Sequence, residues 1–151
     1  MPASSYPPVE SLIPHREDMR LIDEVLSIDY ENGRIAVLAT VRREWCESIV
    51  AIELMAQAAA ALSGAMDLAN GFEGSPRPGM LLGTRKLLLA SKRFTPGERL
   101  AVTAQFAYKD CDTASFECAI RGACGDILAE ATLNAFRPDD LSRFLATSPG
   151  V

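Results

Sequence analysis

Apolar positions along this chain fall into one long block flanked by shorter runs, and the change of pattern marks the elements. Residues 1–12 are rich in Pro and Ser, a lead-in with room for one helical turn at Val9-Glu10-Ser11-Leu12. Residues 21–25 read as a short apolar and acidic strand. Tyr30-Glu31-Asn32-Gly33-Arg34 then precedes the strand-like run 35–41, and Asn-Gly between two such runs is a strong hairpin signal. The long block, residues 49–70, predicts about 30 Å of helix. Ser48 is the expected N-cap, and Asn70-Gly71 the left-handed stop. Ala56, Ala58, Ala59, Ala60 and Ala61 would let that helix lie close against a sheet, and apolar positions all round it predict burial on several sides.

After the loop 72–79, strand-like runs at 80–89, 92–94, 99–109, 113–122 and 127–136 are separated by turn residues such as Thr95-Pro96-Gly97-Glu98 and Gly125-Asp126. Their spacing predicts an antiparallel sheet in meander order. A further helical turn is expected around 141–145 in the tail that begins at 138. The economical arrangement is α+β: one long central helix wrapped by a curved antiparallel sheet, in a single domain over 1–151.

Composition narrows the function. With 48% hydrophobic and 23% charged residues the chain can build a core and is no disordered tail. A net charge of −5 argues against nonspecific nucleic-acid binding, which needs a basic surface. The apolar block contains Glu53, Gln57 and Ser63, so it predicts a buried helix rather than a membrane span. No leader pattern opens the chain, and a cytoplasmic protein with reduced thiols is expected. Cys46, Cys111, Cys118 and Cys124 contain no Cys-x-x-Cys pair and have no nearby histidine, which speaks against a metal site.

Candidate chemistry centres on two residues. His15 is the one histidine, so any imidazole base must be this ring or one borrowed from a partner. Glu53 interrupts the apolar helix, and a carboxylate in such a setting can donate a proton to a leaving hydroxyl. Gln57 lies one turn on, on the same face.

Three segments carry a resemblance. Ile13-Pro14-His15-Arg16 with Met19-Arg20-Leu21-Ile22-Asp23-Glu24-Val25, the helix segment Ile52-Glu53-Leu54-Met55-Ala56-Gln57-Ala58, and Phe94-Thr95-Pro96-Gly97-Glu98-Arg99-Leu100 resemble, in order and spacing, bacterial 3-hydroxyacyl-[acyl carrier protein] dehydratases of the hot-dog fold. The resemblance covers about residues 10–137. With Leu81-Leu82-Gly83-Thr84-Arg85 included, it points to the divergent branch associated with aryl polyene and related lipid clusters. One departure is large: the Gly-His-Phe-Pro-Gly segment that carries the family's catalytic histidine has no counterpart in 42–50. That histidine maps onto no residue here, whereas the helix carboxylate maps onto Glu53.

The resemblance implies dehydration of a 3-hydroxyacyl thioester held on the phosphopantetheine of acyl carrier protein, with no other cofactor. It also implies a homodimer, or a heterodimer with a second hot-dog protein. The rivals are a non-catalytic partner subunit and an acyl thioesterase. In the resembled family the Pro-His-Arg histidine accompanies the catalytic one, so His15 is either a structural tie or the substitute base. The resemblance further suggests Trp45 as a cavity wall, with Gln57 and Thr84 beside the substrate. Gly83 becomes either a backbone N–H donor to the thioester carbonyl or a simple bulge. Cys46 is a remote candidate nucleophile. Arg85, Lys86, Lys92 and Arg93 form a basic stretch suited to an acidic carrier protein.

Overall fold

The computed structural model describes residues 5–90 and 93–137. It contains strands β1 (Glu24–Asp29), β2 (Arg34–Thr40), β3 (Met80–Leu89), β4 (Arg99–Lys109), β5 (Thr113–Arg121) and β6 (Ile127–Phe136), with helix α1 (Ala51–Ala69) between β2 and β3. All strand pairs are antiparallel, in one six-stranded sheet of order β1-β2-β4-β5-β6-β3. This is the hot-dog arrangement, with α1 packed chiefly on β4, β2 and β5. The tail turn expected at 141–145 lies outside the described residues.

Local chemistry explains the elements that match expectation. In the β1–β2 hairpin the Asp29 carboxylate accepts from the backbone N–H and side-chain amide of Asn32 at 3.0 and 2.8 Å, and Gly33 takes the required positive φ of 63°. The α1 stop closes as a Schellman motif. Phe72 N–H donates to the Asp67 carbonyl at 2.9 Å and Gly71 N–H to that of Leu68 at 3.1 Å, with Gly71 at φ 90°. Ser48, the expected N-cap, makes no cap bond; it opens a 3-10 turn (Ser48–Val50) that runs straight into α1.

Two expectations are corrected. The first strand begins at Glu24, not at residue 21, because the N–H groups of Leu21 and Ile22 bond to the side chain of Gln57 rather than to a strand. The meander covers only β4–β6. Helix α1 carries the chain across the face of the sheet, so β3 starts at the far edge beside β6 instead of next to β4.

By length and composition Ser48–Ala69 could cross a membrane, but 56% of its apolar window is buried within the fold. It is the core helix. The core unites Leu54, Met55, Ala58, Ala61 and Leu62 of α1 with Ile35, Val37, Leu100, Val102, Ile120 and Leu133 of the sheet, and with Val9, Leu12, Ile13 and Ile22 of the N-terminal segment.

That segment is seated on the helix at Gly64. A Cβ there would lie 2.1 Å from the Leu12 carbonyl oxygen, so only glycine admits the contact. Gly64→Ala gains about 1 kcal/mol of helix propensity, yet we expect a net loss of roughly 1–3 kcal/mol from overpacking. Urea unfolding checks this, and an unchanged or raised midpoint would refute the contact.

Candidate functional site

Helix α1 turns one stripe of small residues away from the core: Glu53, Ala56, Ala60, Ser63 and Asp67 recur every three to four positions and line a groove of about 440 Å³. Phe106, Phe116, Leu133 and Ala135 form the opposite apolar wall from the sheet. Alanines and a serine along the stripe leave the space; larger residues would fill it.

His15 and Glu53 meet at one end of this groove, with His15 Nε2 3.6 Å from Glu53 Oε1. The gap exceeds a hydrogen bond but is within the looseness of an unliganded acid/base pair. Two clamps hold them. The Arg16 guanidinium donates to the carbonyls of Ile13, His15 and Glu10 at 2.6, 2.8 and 2.9 Å, which fixes the loop that presents the imidazole. Gln57 is fully buried: its Oε1 accepts from Leu21 and Ile22 N–H at 2.8 and 3.4 Å, and its Nε2 donates to the Met19 carbonyl at 2.7 Å and to Glu53 Oε1 at 2.9 Å. His15 Nδ1 is buried with no hydrogen-bond partner among the described residues. Glu53 is not shut away as an apolar helix suggested, since 48% of its side chain is exposed in this chain alone.

The groove ends at a charged cluster. Arg137 from the end of β6 grips Asp67 in a two-pronged bond of 2.7 and 3.0 Å, and Arg77 from the loop adds a third at 2.9 Å. Arg77 also stacks over Phe72 at 4.9 Å. Sequence reasoning missed this cluster; its members lie 10 and 70 residues apart and no local pattern joins them.

Other candidates fall elsewhere. Gln57 binds backbone rather than facing the groove, because its hydrogen-bonding groups are taken up by the N-terminal segment and Glu53. Trp45 is not a groove wall: the 3-10 turn Arg43–Trp45 puts its ring in the core, with Arg42 over it at 6.0 Å. Gly83 and Thr84 do not line the groove either, since a bulge after Leu81 breaks the register and β3 contributes Met80 and Leu81 instead.

Cys46 is buried off the groove, and its thiol accepts from Arg93 at 2.8 Å. Arg85 and Lys86 are exposed on β3, with Lys86 at φ 53° in a second bulge; Arg93 sits beside Cys46. They therefore form no basic lip on this groove, and Lys92 lies outside the described residues. The cations that do line it are Arg77, Lys109 and Arg137.

The four thiols are free and differ sharply. Burial pushes the Cys118 thiol up to about 12, which leaves negligible thiolate at neutral pH. Cys111 and Cys124 are exposed. Intact-mass analysis after brief alkylation of the native protein should show two adducts, on these two residues, and a third rapid adduct on Cys118 would contradict its burial.

The ApeP-like family profile, described as ApeP dehydratase, matches residues 7–146. The chain belongs to the ApeP-like dehydratase family. Among solved structures, a chain of the dehydratase heterocomplex ApeI:P from Xenorhabdus doucetiae is 28% identical, covering 95% of this chain and 99% of that one at a TM-score of 0.83. A hypothetical thioesterase with coenzyme A from Streptococcus pneumoniae is 13% identical, covering 76% and 84% at a TM-score of 0.59. The E. coli PaaI protein from the phenylacetic acid degradation operon is 17% identical, covering 75% and 81% at 0.57. These last two share the fold alone. No curated protein sequence matches significantly. Membership of the ApeP-like family accords with the divergent dehydratase branch expected from the three sequence segments.

Proposed function

We propose that this ApeP-like chain dehydrates 3-hydroxyacyl thioesters carried on acyl carrier protein, as one half of a pair with a second hot-dog protein. The observation that carries the reading is the His15–Glu53 pair at the end of an apolar groove. His15 takes a proton from C2 of the substrate, the C3–O bond breaks, and Glu53 gives its proton to the departing hydroxyl, which leaves as water. The product is a trans-2-enoyl thioester. Imidazolium and carboxylate then stand 3.6 Å apart, so the proton returns from His15 to Glu53 and the site is reset. The missing histidine motif is thereby replaced from the N-terminal segment.

A partner is supported by two features. Glu53 is half exposed in the lone chain, whereas electrostatic catalysis gains from exclusion of water. The outer edge of β3 has no strand beside it among the described residues, and Leu81, Leu82, Leu88 and Leu89 are exposed along it. An open strand edge with an apolar fringe is a template for another strand. The similar ApeI:P structure is itself a heterocomplex.

The test is to purify the chain with its partner hot-dog protein, add a 3-hydroxyacyl carrier protein and follow the acyl group by mass spectrometry. Loss of water is the expected result. Release of free acid would replace the dehydratase reading with a thioesterase one, and an inert pair would leave the chain a structural subunit.

A further inference from the structure

We propose that Arg16 is a positioning residue for the His15 imidazole, acting by holding its neighbour Glu17 in a backbone conformation that Glu17 would otherwise leave. The inference rests on the dehydratase reading and adds to it the device that aims the base. Arg16 is exposed and does not line the groove, whereas Pro14 and His15 do. Its guanidinium is turned back on the chain: Nη1 donates to the Ile13 and His15 carbonyls and Nη2 to that of Glu10. Bonds from a charged donor are the stronger kind, and here three of them converge on the residues around His15.

Glu17 follows directly at φ 52°, in the left-handed region that strains a residue with a Cβ. Its side chain is exposed and makes no hydrogen bond or ion pair among the described residues, so it does not hold itself there. The reversal serves what comes next. It opens the turn Glu17–Met19, which brings the Met19 carbonyl and the N–H groups of Leu21 and Ile22 to Gln57 on α1. On the other side Leu12 and Ile13 are locked in the core, with the Leu12 carbonyl seated at Gly64. His15 therefore rides an arch between two fixed feet, and one joint of that arch, two residues along, is strained. Relaxation of Glu17 would swing the crown, and the Arg16 bond to the His15 carbonyl opposes that movement. The imidazole already stands 3.6 Å from Glu53, and a misplacement of about 1 Å at a reacting group costs on the order of 10²-fold.

Kinetics and spectroscopy on the assembled pair test this together. Arg16→Ala should lower kcat by up to about 10²-fold while KM changes less than about twofold, because the side chain does not meet the substrate. Glycine takes the left-handed conformation without strain, so Arg16→Ala/Glu17→Gly should recover roughly tenfold of that loss. Arg16→Lys, with one cation and fewer well-aimed donors, should fall between wild type and alanine. His15 is the one histidine of the chain, so labelling histidine in this chain alone gives a single imidazole signal. In folded Arg16→Ala that signal should broaden or move toward the position of free histidine, and the double variant should restore it. An unmoved signal in Arg16→Ala, or a kcat loss that Glu17→Gly does not recover, overturns the proposal. So does a rise in KM at unchanged kcat, which would place Arg16 against the substrate or its carrier. A wild-type pair that is inert overturns the dehydratase reading instead, and the imidazole signal, which needs no turnover, still decides whether Arg16 positions the ring.

Discussion

On the proposed mechanism, Glu53→Gln and His15→Ala should each lower dehydration by the assembled pair by about 10²–10⁴-fold, the usual contribution of a positioned acid or base. Neither substitution should unfold the protein. Glu53 is half exposed, and a glutamine in its place still offers an oxygen to Gln57 Nε2, 2.9 Å away in the native chain. The His15 loop is held by Arg16 through backbone carbonyls, contacts that an alanine at position 15 retains. Stability should thus stay within about 0.5 kcal/mol of wild type in both cases. The double variant should be little worse than either single one, because the two groups act as a unit. Single-turnover rates with matched melting curves decide the matter. If His15→Ala keeps the full rate, the base is not this imidazole and the pair seen at 3.6 Å is a structural contact.

Gln57→Leu is expected to damage fold and chemistry together. The side chain is fully buried, and leucine would abandon two backbone N–H groups, of Leu21 and Ile22, together with the Met19 carbonyl. Each buried group left unpaired costs about 1–3 kcal/mol. A loss of at least about 3 kcal/mol follows, a large share of the roughly 5–15 kcal/mol that a domain has in total. Glu53 would also lose the bond that fixes its Oε1, so kcat should fall even at temperatures where the variant remains folded. Urea unfolding and kcat on the same preparation separate the two effects. A stability loss under about 1 kcal/mol would show that these bonds bring no net gain over water.

How much of this was legible in the sequence depended on whether the information was local. The Asn32-Gly33 hairpin, the α1 stop at Gly71 and the bounds of β4, β5 and β6 follow from turn chemistry and periodicity, and the structure agrees closely. Strand order is not local. Nothing in residues 80–89 says that they pair with β6 rather than β4; the reach of α1 decides it. Gln57 shows the same limit inside one helix. A polar residue one turn from Glu53 looks groove-facing by spacing, and only the seating of the N-terminal segment reveals that its amide is taken up by backbone as well as by Glu53. The proximity of His15 to Glu53 is equally non-local, since no pattern in the segment just before the helix announces it. The fold delivers it from 38 residues upstream of Glu53 instead. The cluster at Asp67 was invisible for the same reason.

The bare edge of β3 has a consequence for how a cell must handle this chain. Its four exposed leucines and open ladder are as available to another copy of itself as to the right partner. The bulges at Leu82 and Lys86 make that edge irregular, so a flat, indiscriminate pairing fits it poorly. On the proposed pairing, dosage matters as much as affinity: chains made in excess of the counterpart would be the aggregation-prone fraction, and matched synthesis of the two would keep the surplus small.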